Sequence, residues 1–181
     1  MKPGSIMPNL GLTQPEINEL LERVAPAYVV AGAEYIPLVT PRADLQVIER
    51  SKFLAQSAAG DIPEPTPQDD PHEMGVQLFT SGTTGKPKAA VLRHENLSAY
   101  IIGTIEFACA GEDEANQITV PPYHIAGIAA VLSSTYACRR MVQMEGFDAK
   151  LWVDTCRAQN TTNAFLVPTM LSRIIDHLDE S

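Results

Sequence analysis

Residues 79–94, Phe-Thr-Ser-Gly-Thr-Thr-Gly-Lys-Pro-Lys-Ala-Ala-Val-Leu-Arg-His, gather hydroxyls, glycines and lysines into one short segment. Those residue types suit an anion. Gly82 and Gly85 let backbone N–H groups approach it closely, Ser81, Thr83 and Thr84 add hydroxyl donors, and Lys86 and Lys88 add full positive charge. Charge placement agrees. Between Met74 and His94 there is no Asp or Glu and there are three bases, Lys86, Lys88 and Arg93, whereas residues 60–73 hold five acids. With a formal net charge of −9, the chain must make any polyphosphate site by local positive charge, and this segment is the good candidate.

The segment is not a Walker A loop, because Gly82 and Gly85 are two residues apart and Pro87 follows Lys86. A Gly-x-Gly-x-x-Gly run is also absent. Residues 79–88 instead resemble the phosphate loop of the adenylate-forming superfamily, which includes acyl-CoA synthetases, aryl-CoA ligases, luciferases and peptide-synthetase adenylation domains. The family pattern is Tyr/Phe-Thr-Ser-Gly-Ser/Thr-Thr-Gly-x-Pro-Lys-Gly. Every fixed position through Lys88 matches, and Ala89 stands where the family usually has glycine. The resemblance implies a role for each residue. Lys88 would hold the distal phosphates of ATP as a catalytic group, Ser81, Gly82, Thr83, Thr84, Gly85 and Lys86 would form the wrapping loop, and Thr80 would associate with Mg2+. The implied reaction is attack of a carboxylate on the α-phosphate, loss of pyrophosphate, and transfer of the acyl group to CoA, a chemistry tied to fatty-acid metabolism. Two anions must meet, so fixed N–H groups, lysine and magnesium lower the charge cost. Little acid–base work is required, in keeping with a loop that lacks histidine and carboxylate. His94-Glu95-Asn96-Leu97 resembles the family's His-x-Asn-Leu helix start, and His94 is read as helix-start structure rather than as a catalyst.

A second stretch, Pro121-Pro122-Tyr123-His124-Ile125-Ala126-Gly127, is similar to the family's Pro-x-Phe-His-x-x-Gly segment, which follows a strand and lines the acyl pocket. The resemblance puts Tyr123 and His124 near the substrate carboxylate, with Gly127 leaving room. A histidine there can donate a hydrogen bond to an anion, although a lone histidine beside apolar residues is more often a satisfied structural group. Amino-acid-activating members typically place an aspartate in this stretch, and no acid lies between Asn116 and Met144. That favours a carboxylic acid without an amino group. Ile128, Val131 and Leu132 indicate only that some apolar surface is at hand. Phe165–Leu171 and the opening from Pro8 to Val30 carry weaker likenesses, so the resemblance extends over nearly the whole chain.

The elements that must position these residues alternate. Thr13-Gln14-Pro15-Glu16 reads as a capping box with proline in the first turn, opening a helix to about residue 24. Ala27–Ala31 suits a buried strand, and 43–57 a further helix. Residues 60–73, with four prolines and five acids, read as a solvated loop. Strands are expected at 76–80, 89–93, 117–121, 139–144 and 162–167. Helices are expected at 94–108, 125–137, 148–158 and from Pro168, the last with Leu171, Ile174, Ile175 and Leu178 on one face. Alternation of this kind predicts an α/β fold with a mostly parallel sheet layered with helices, here an incomplete N-terminal domain of an adenylate-forming enzyme. The expected division is 1–59, a helix/strand part of the AMP-binding domain; 60–74, the acidic loop; and 75–181, the phosphate-loop and acyl-pocket part of the same domain.

Composition bounds the rest. With 45 % hydrophobic and 19 % charged residues the chain is globular in type. Its acidity argues against nucleic-acid partners and anionic membrane surfaces. The longest apolar run, Ile125–Leu132, is far short of the ~20 residues that span a bilayer, and the opening residues lack a signal-peptide run, so a cytoplasmic location is expected. Cys109, Cys138 and Cys156 form no Cys-x-x-Cys pair and are expected to stay reduced.

A complete member of the resembled family is much longer. The 181 residues hold no Tyr-Gly-x-Thr-Glu segment, no ribose-binding aspartate after it, and neither the hinge nor the C-terminal catalytic lysine. The expectation is a ligase fragment inactive by itself, with a small-molecule carboxylic acid as substrate and the remainder of the enzyme as a candidate partner on another chain. The alternative is a non-catalytic nucleotide-binding or interaction module that kept the loop.

Overall fold

The computed structural model describes residues 5–7, 12–60, 70–80, 88–121 and 123–180. Two compact units emerge, Met1–Asp70 and Pro71–Ser181.

The first unit holds β1 (Ser5–Met7), α1 (Gln14–Val24), β2 (Ala27–Ala31), β3 (Leu45–Glu49) and α2 (Arg50–Ala59). At the start of α1 the Glu16 carboxylate accepts from the backbone N–H (2.7 Å) and the hydroxyl (2.6 Å) of Thr13. The carboxylate thus closes the turn that Pro15 pre-sets. Asn18 then ties α1 to the 3-10 turn at Ile36–Leu38, donating to Leu38 O at 3.2 Å and accepting from Thr40 N at 2.9 Å. β2 and β3 pair in parallel, with Val29 opposite Val47. The helix expected over 43–57 is therefore corrected: its first part is β3, and α2 begins only at Arg50. The β-branched pair Val47-Ile48 packs better on a pleated strand than in a helical turn. β2 is also less buried than expected, with Tyr28 63 % exposed.

The second unit carries β4 (Met74–Thr80), β5 (Lys88–Arg93), α3 (His94–Thr104), β6 (Ala115–Ile118), α4 (Ile125–Tyr136), β7 (Arg140–Gln143), α5 (Ala149–Gln159), β8 (Asn163–Ala164) and α6 (Pro168–Asp179). β4 and β5 are antiparallel. β6 lies between β7 and β8 and is parallel to both. Helices alternate with these strands, which is the α/β layering that the sequence predicts. α3 stops at Thr104 rather than 108, because the backbone turns extended at Ile105 (φ −138°, ψ 142°). The strand expected over 162–167 contracts to Asn163–Ala164. On α6 only Ile174 is buried, whereas Leu171, Ile175 and Leu178 are each nearly half exposed. No helix among the described residues is long and apolar enough to cross a membrane.

β6 is buried along its whole length although two of its four residues are amides. Gln117, with no exposed surface, donates to Trp152 O (3.0 Å) and accepts from Thr161 Oγ1 (2.9 Å), joining the strand to α5 and to the approach to β8. Asn116 donates to Ser134 Oγ (2.9 Å) on α4, which itself donates to Ala130 O (2.7 Å). At the entrance to β6, Arg139 donates to Glu114 at 2.7 Å. That hydrogen bond, with help from the Gly111 backbone, holds the Glu114 carboxyl below its ordinary range.

Gln117→Ala removes the side-chain hydrogen bonds to Trp152 O, Met144 Sδ and Thr161 Oγ1 and opens a void. It is expected to lower stability by roughly 2–4 kcal/mol in urea unfolding followed by Trp152 fluorescence. A lowered carboxyl pKa adds stability above the ordinary carboxylate range and loses it as pH falls through the folded value. The melting-temperature gap between wild type and Glu114→Gln should therefore be present at pH 7 and close on acidification below the carboxylate range.

Candidate functional site

The phosphate-loop candidate is carried by the β4–β5 pair. The antiparallel register sets Phe79 opposite Ala89 and Thr80 opposite Lys88, so the two ends of the motif are cross-strand partners. Ser81, Gly82, Thr83, Thr84, Gly85 and Lys86 lie outside the described residues. Leu78, 5 % exposed, anchors β4, and Lys88 begins β5 with an exposed side chain. The far end of the pair is held by the start of α3. There the N–H groups of His94 and Glu95 donate to Glu73 O (3.2 Å) and Pro71 O (3.0 Å). Arg93 N donates to Asn96 Oδ1 (3.0 Å), and the Arg93 guanidinium donates to His72 O. His94 is the first residue of α3, where its N–H is one of the groups a helix start leaves to be satisfied from outside.

The second candidate region forms where β6 hands over to α4. Open α/β sheets bind ligands beyond the carboxyl ends of their strands, and the segment after β6 runs there through buried Thr119 and Val120. His124 is the N-cap of α4. Its N–H donates to Pro121 O (3.0 Å), and its Nδ1 accepts from Ala126 N (3.2 Å). With Nδ1 acting as acceptor, the proton of the neutral ring sits on Nε2. The exposed imidazole therefore performs two tasks: it caps the helix and it keeps one N–H donor for an anion, beside the positive end of the α4 dipole.

Gly127 serves the chain's own packing. A Cβ there would lie 2.3 Å from Pro121 O and 2.7 Å from Val120 O. Only glycine lets the first turn of α4 fold back against the segment leaving β6. Tyr123 is half-buried in that same turn.

An open cleft of about 430 Å³ runs along α4, which contributes Ile125, Ala126, Ala129, Ala130 and Ser133. The opposite wall comes from Tyr100 of α3, Asn116 of β6, and Asn163, Ala164 and Phe165 at β8. Ala126, which donates to His124, thus also lines the cleft. The apolar residues singled out in the sequence lie elsewhere: Ile128 is buried at 7 %, and neither Val131 nor Leu132 lines this space. The signal that marks the cleft is the run of small residues at 126, 129, 130 and 133, spaced three and four apart as on one helix face.

Thr80 and Lys88 thus meet across one strand pair, and Tyr123, His124 and Gly127 meet at one strand-to-helix junction. Among the described residues no cluster of three His, Cys, Asp or Glu side chains could hold a metal ion.

Residues 6–181 match the sequence model of a family described as AMP-binding enzyme. Fatty acid–[acyl-carrier-protein] ligase ScoC of Streptomyces coeruleorubidus is 30 % identical over 190 residues, covering 96 % of this chain and 36 % of its own length. The 2-succinylbenzoate–CoA ligase of Geobacillus sp. (strain WCH70) is 27 % identical over 179 residues, covering 97 % of this chain and 35 % of its own. The chain spans about a third of the length of these curated relatives. The crystal structure of ATP-bound MatB from Rhodopseudomonas palustris shares the fold, with a TM-score of 0.77 at 21 % identity over 93 % of this chain and 35 % of that one.

Gly127→Ala drives a methyl group into backbone that cannot move aside as a side chain would. A loss of about 1–3 kcal/mol is expected by urea unfolding.

Proposed function

This chain belongs to the AMP-binding enzyme family, and from that premise we propose that it supplies the ATP-phosphate loop and part of the acid site of a ligase. The ligase activates a carboxylic acid as an acyl-adenylate and passes it to a thiol, with CoA as acceptor, in the cytoplasm. The observation that carries this proposal is the Phe79–Lys88 motif, whose ends Thr80 and Lys88 are cross-strand partners on β4 and β5. The names of the relatives support it, since both are ligases that join an acid to a thiol-bearing carrier.

The chain's own groups divide the work by charge. Lys88 and the loop N–H groups neutralise the phosphates. His124 Nε2–H, with the N-terminus of α4, orients the incoming carboxylate and lowers the repulsion between two anions. Magnesium, carried with ATP, would add further charge neutralisation, and Thr80 offers it one hydroxyl. Residues 116–138 contain neither Asp nor Glu to hold a substrate amine, which favours acids without an amino group.

The 181-residue chain is expected to bind MgATP in titration calorimetry, and Lys88→Ala to weaken that binding by about tenfold or more, a charge-assisted contact being lost. By itself the chain is expected to give no acid-dependent ATP–pyrophosphate exchange. Exchange that Lys88→Ala abolishes would overturn that second expectation, and absence of MgATP binding would overturn the first. Binding without exchange, even with complementary family segments supplied, would favour a non-catalytic nucleotide-binding module.

A further inference from the structure

We propose that Cys109 and Cys138 form a reversible dithiol–disulfide pair, oxidised by a low-molecular-weight disulfide and reduced again by thiols. Such a pair is a modification site outside the candidate regions for phosphate and acid.

The two cysteines stand at the ends of the β6–α4 segment, Cys109 ahead of β6 and Cys138 just past α4. Folding brings those ends together. Ala108 N donates to Tyr136 O and Ala110 N to Ala137 O, each at 3.0 Å. Phe107 meets the ring of Tyr136 edge-on, with centroids 5.3 Å apart. One residue beyond Cys138, Arg139 holds Glu114 at 2.7 Å. The Ala110–Ala137 hydrogen bond sets the separation of the cysteines. Planar trans peptides place the Cys109 Cα about 4 Å from the Ala137 oxygen and the Cys138 Cα about 3 Å from it. The two Cα atoms therefore lie within roughly 7 Å, a span that a disulfide bridges without rearranging the backbone. Both cysteines are exposed, so a dissolved oxidant reaches them.

The backbone at Cys138 is a second, independent observation. α4 ends in two hydrogen bonds, from Cys138 N to Thr135 O (3.1 Å) and from Arg139 N to Ser134 O (2.8 Å), with Cys138 at φ 58°. That is the left-handed cap position, which glycine takes without strain and other residues take at a cost. The exposed Cys138 side chain gains no burial to offset that cost, so its sulfur, and not the turn, accounts for the residue type. Cys156 differs: it is partly buried on α5, with Sγ 3.9 Å from Thr161 O.

The chemistry is thiol–disulfide exchange. One cysteine thiolate attacks a sulfur of the small disulfide, forming a mixed disulfide and expelling one thiolate. The second cysteine thiolate then attacks the protein sulfur of that mixed disulfide, closing the Cys109–Cys138 bond and expelling the other. Two protein thiols are oxidised, one small disulfide is reduced to two thiols, and the protein's thiol protons pass to the leaving groups. The closed bond fastens both ends of the segment that carries β6, His124 and α4.

The test incubates the 181-residue chain with glutathione disulfide, alkylates it in denaturant and maps it by mass spectrometry. The expected product is a monomer two hydrogens lighter, with Cys109 joined to Cys138 and Cys156 alkylated. Dithiothreitol should return all three cysteines to alkylation. Because the fold holds the pair together, closure is expected to be at least about tenfold faster in native buffer than in denaturing urea. Cys138→Gly, which suits the cap, should stay folded by its melting curve and leave Cys109 as a glutathione adduct. Wild type that stops at glutathione adducts, joins either cysteine to Cys156, links two chains, or closes no faster than in urea overturns the proposal.

Discussion

Gln117 sits with no exposed surface in the middle of a strand that is itself buried from end to end, and an amide in that position destabilises a fold unless its hydrogen bonds are made. Its two ends are answered by different elements, Trp152 O on α5 and Thr161 Oγ1 ahead of β8. Its neighbour Asn116 is answered by Ser134 on α4. The two amides therefore specify which helix and which turn lie against β6, where an all-aliphatic strand would accept many partners. Directional bonds of this kind act as registers in a buried layer.

The candidate site inherits its geometry from that strand. Because β6 is held in place, the segment leaving it arrives at a defined point, and Gly127 permits α4 to turn back against the Pro121 carbonyl. His124 is caught in the turn as the helix cap, so its tautomer follows from backbone geometry and not from the ring's own preference. One constraint thereby determines where the imidazole stands and which of its nitrogens carries the proton. The small residues of α4 follow from the same close approach, since the helix face turned to the cleft presents Ala126, Ala129, Ala130 and Ser133.

Charge is separated along the chain in a way that suits an encounter between anions. The bases of the phosphate segment follow directly on an acidic, proline-rich stretch, and the β6–α4 region between Asn116 and Cys138 carries no Asp, Glu, Lys or Arg.

Much of this organisation is written locally and was readable before any coordinates. The Thr13–Glu16 start of α1, the Asp148 cap of α5, which accepts from Leu151 N at 2.8 Å, and Pro168 at the head of α6 are decided by residues three or four apart. The motif at 79–88 is likewise a matter of neighbouring residue types. Other features depended on partners distant in the chain. Leu45–Glu49 became a strand because β2 lies beside it, and the segment beyond α3 is tied to the end of α4, where Ala108 N donates to Tyr136 O (3.0 Å). Which residues of α4 line the cleft was not legible either, since hydrophobicity along a helix tells how apolar each side is but not which side the neighbouring strands cover. The sequence by itself determined the family, the phosphate motif and the helix ends, all encoded over a few residues. Only the tertiary structure decided the cleft's lining, the donor nitrogen of His124 and the need for Gly127, because each depends on atoms that folding alone brings together.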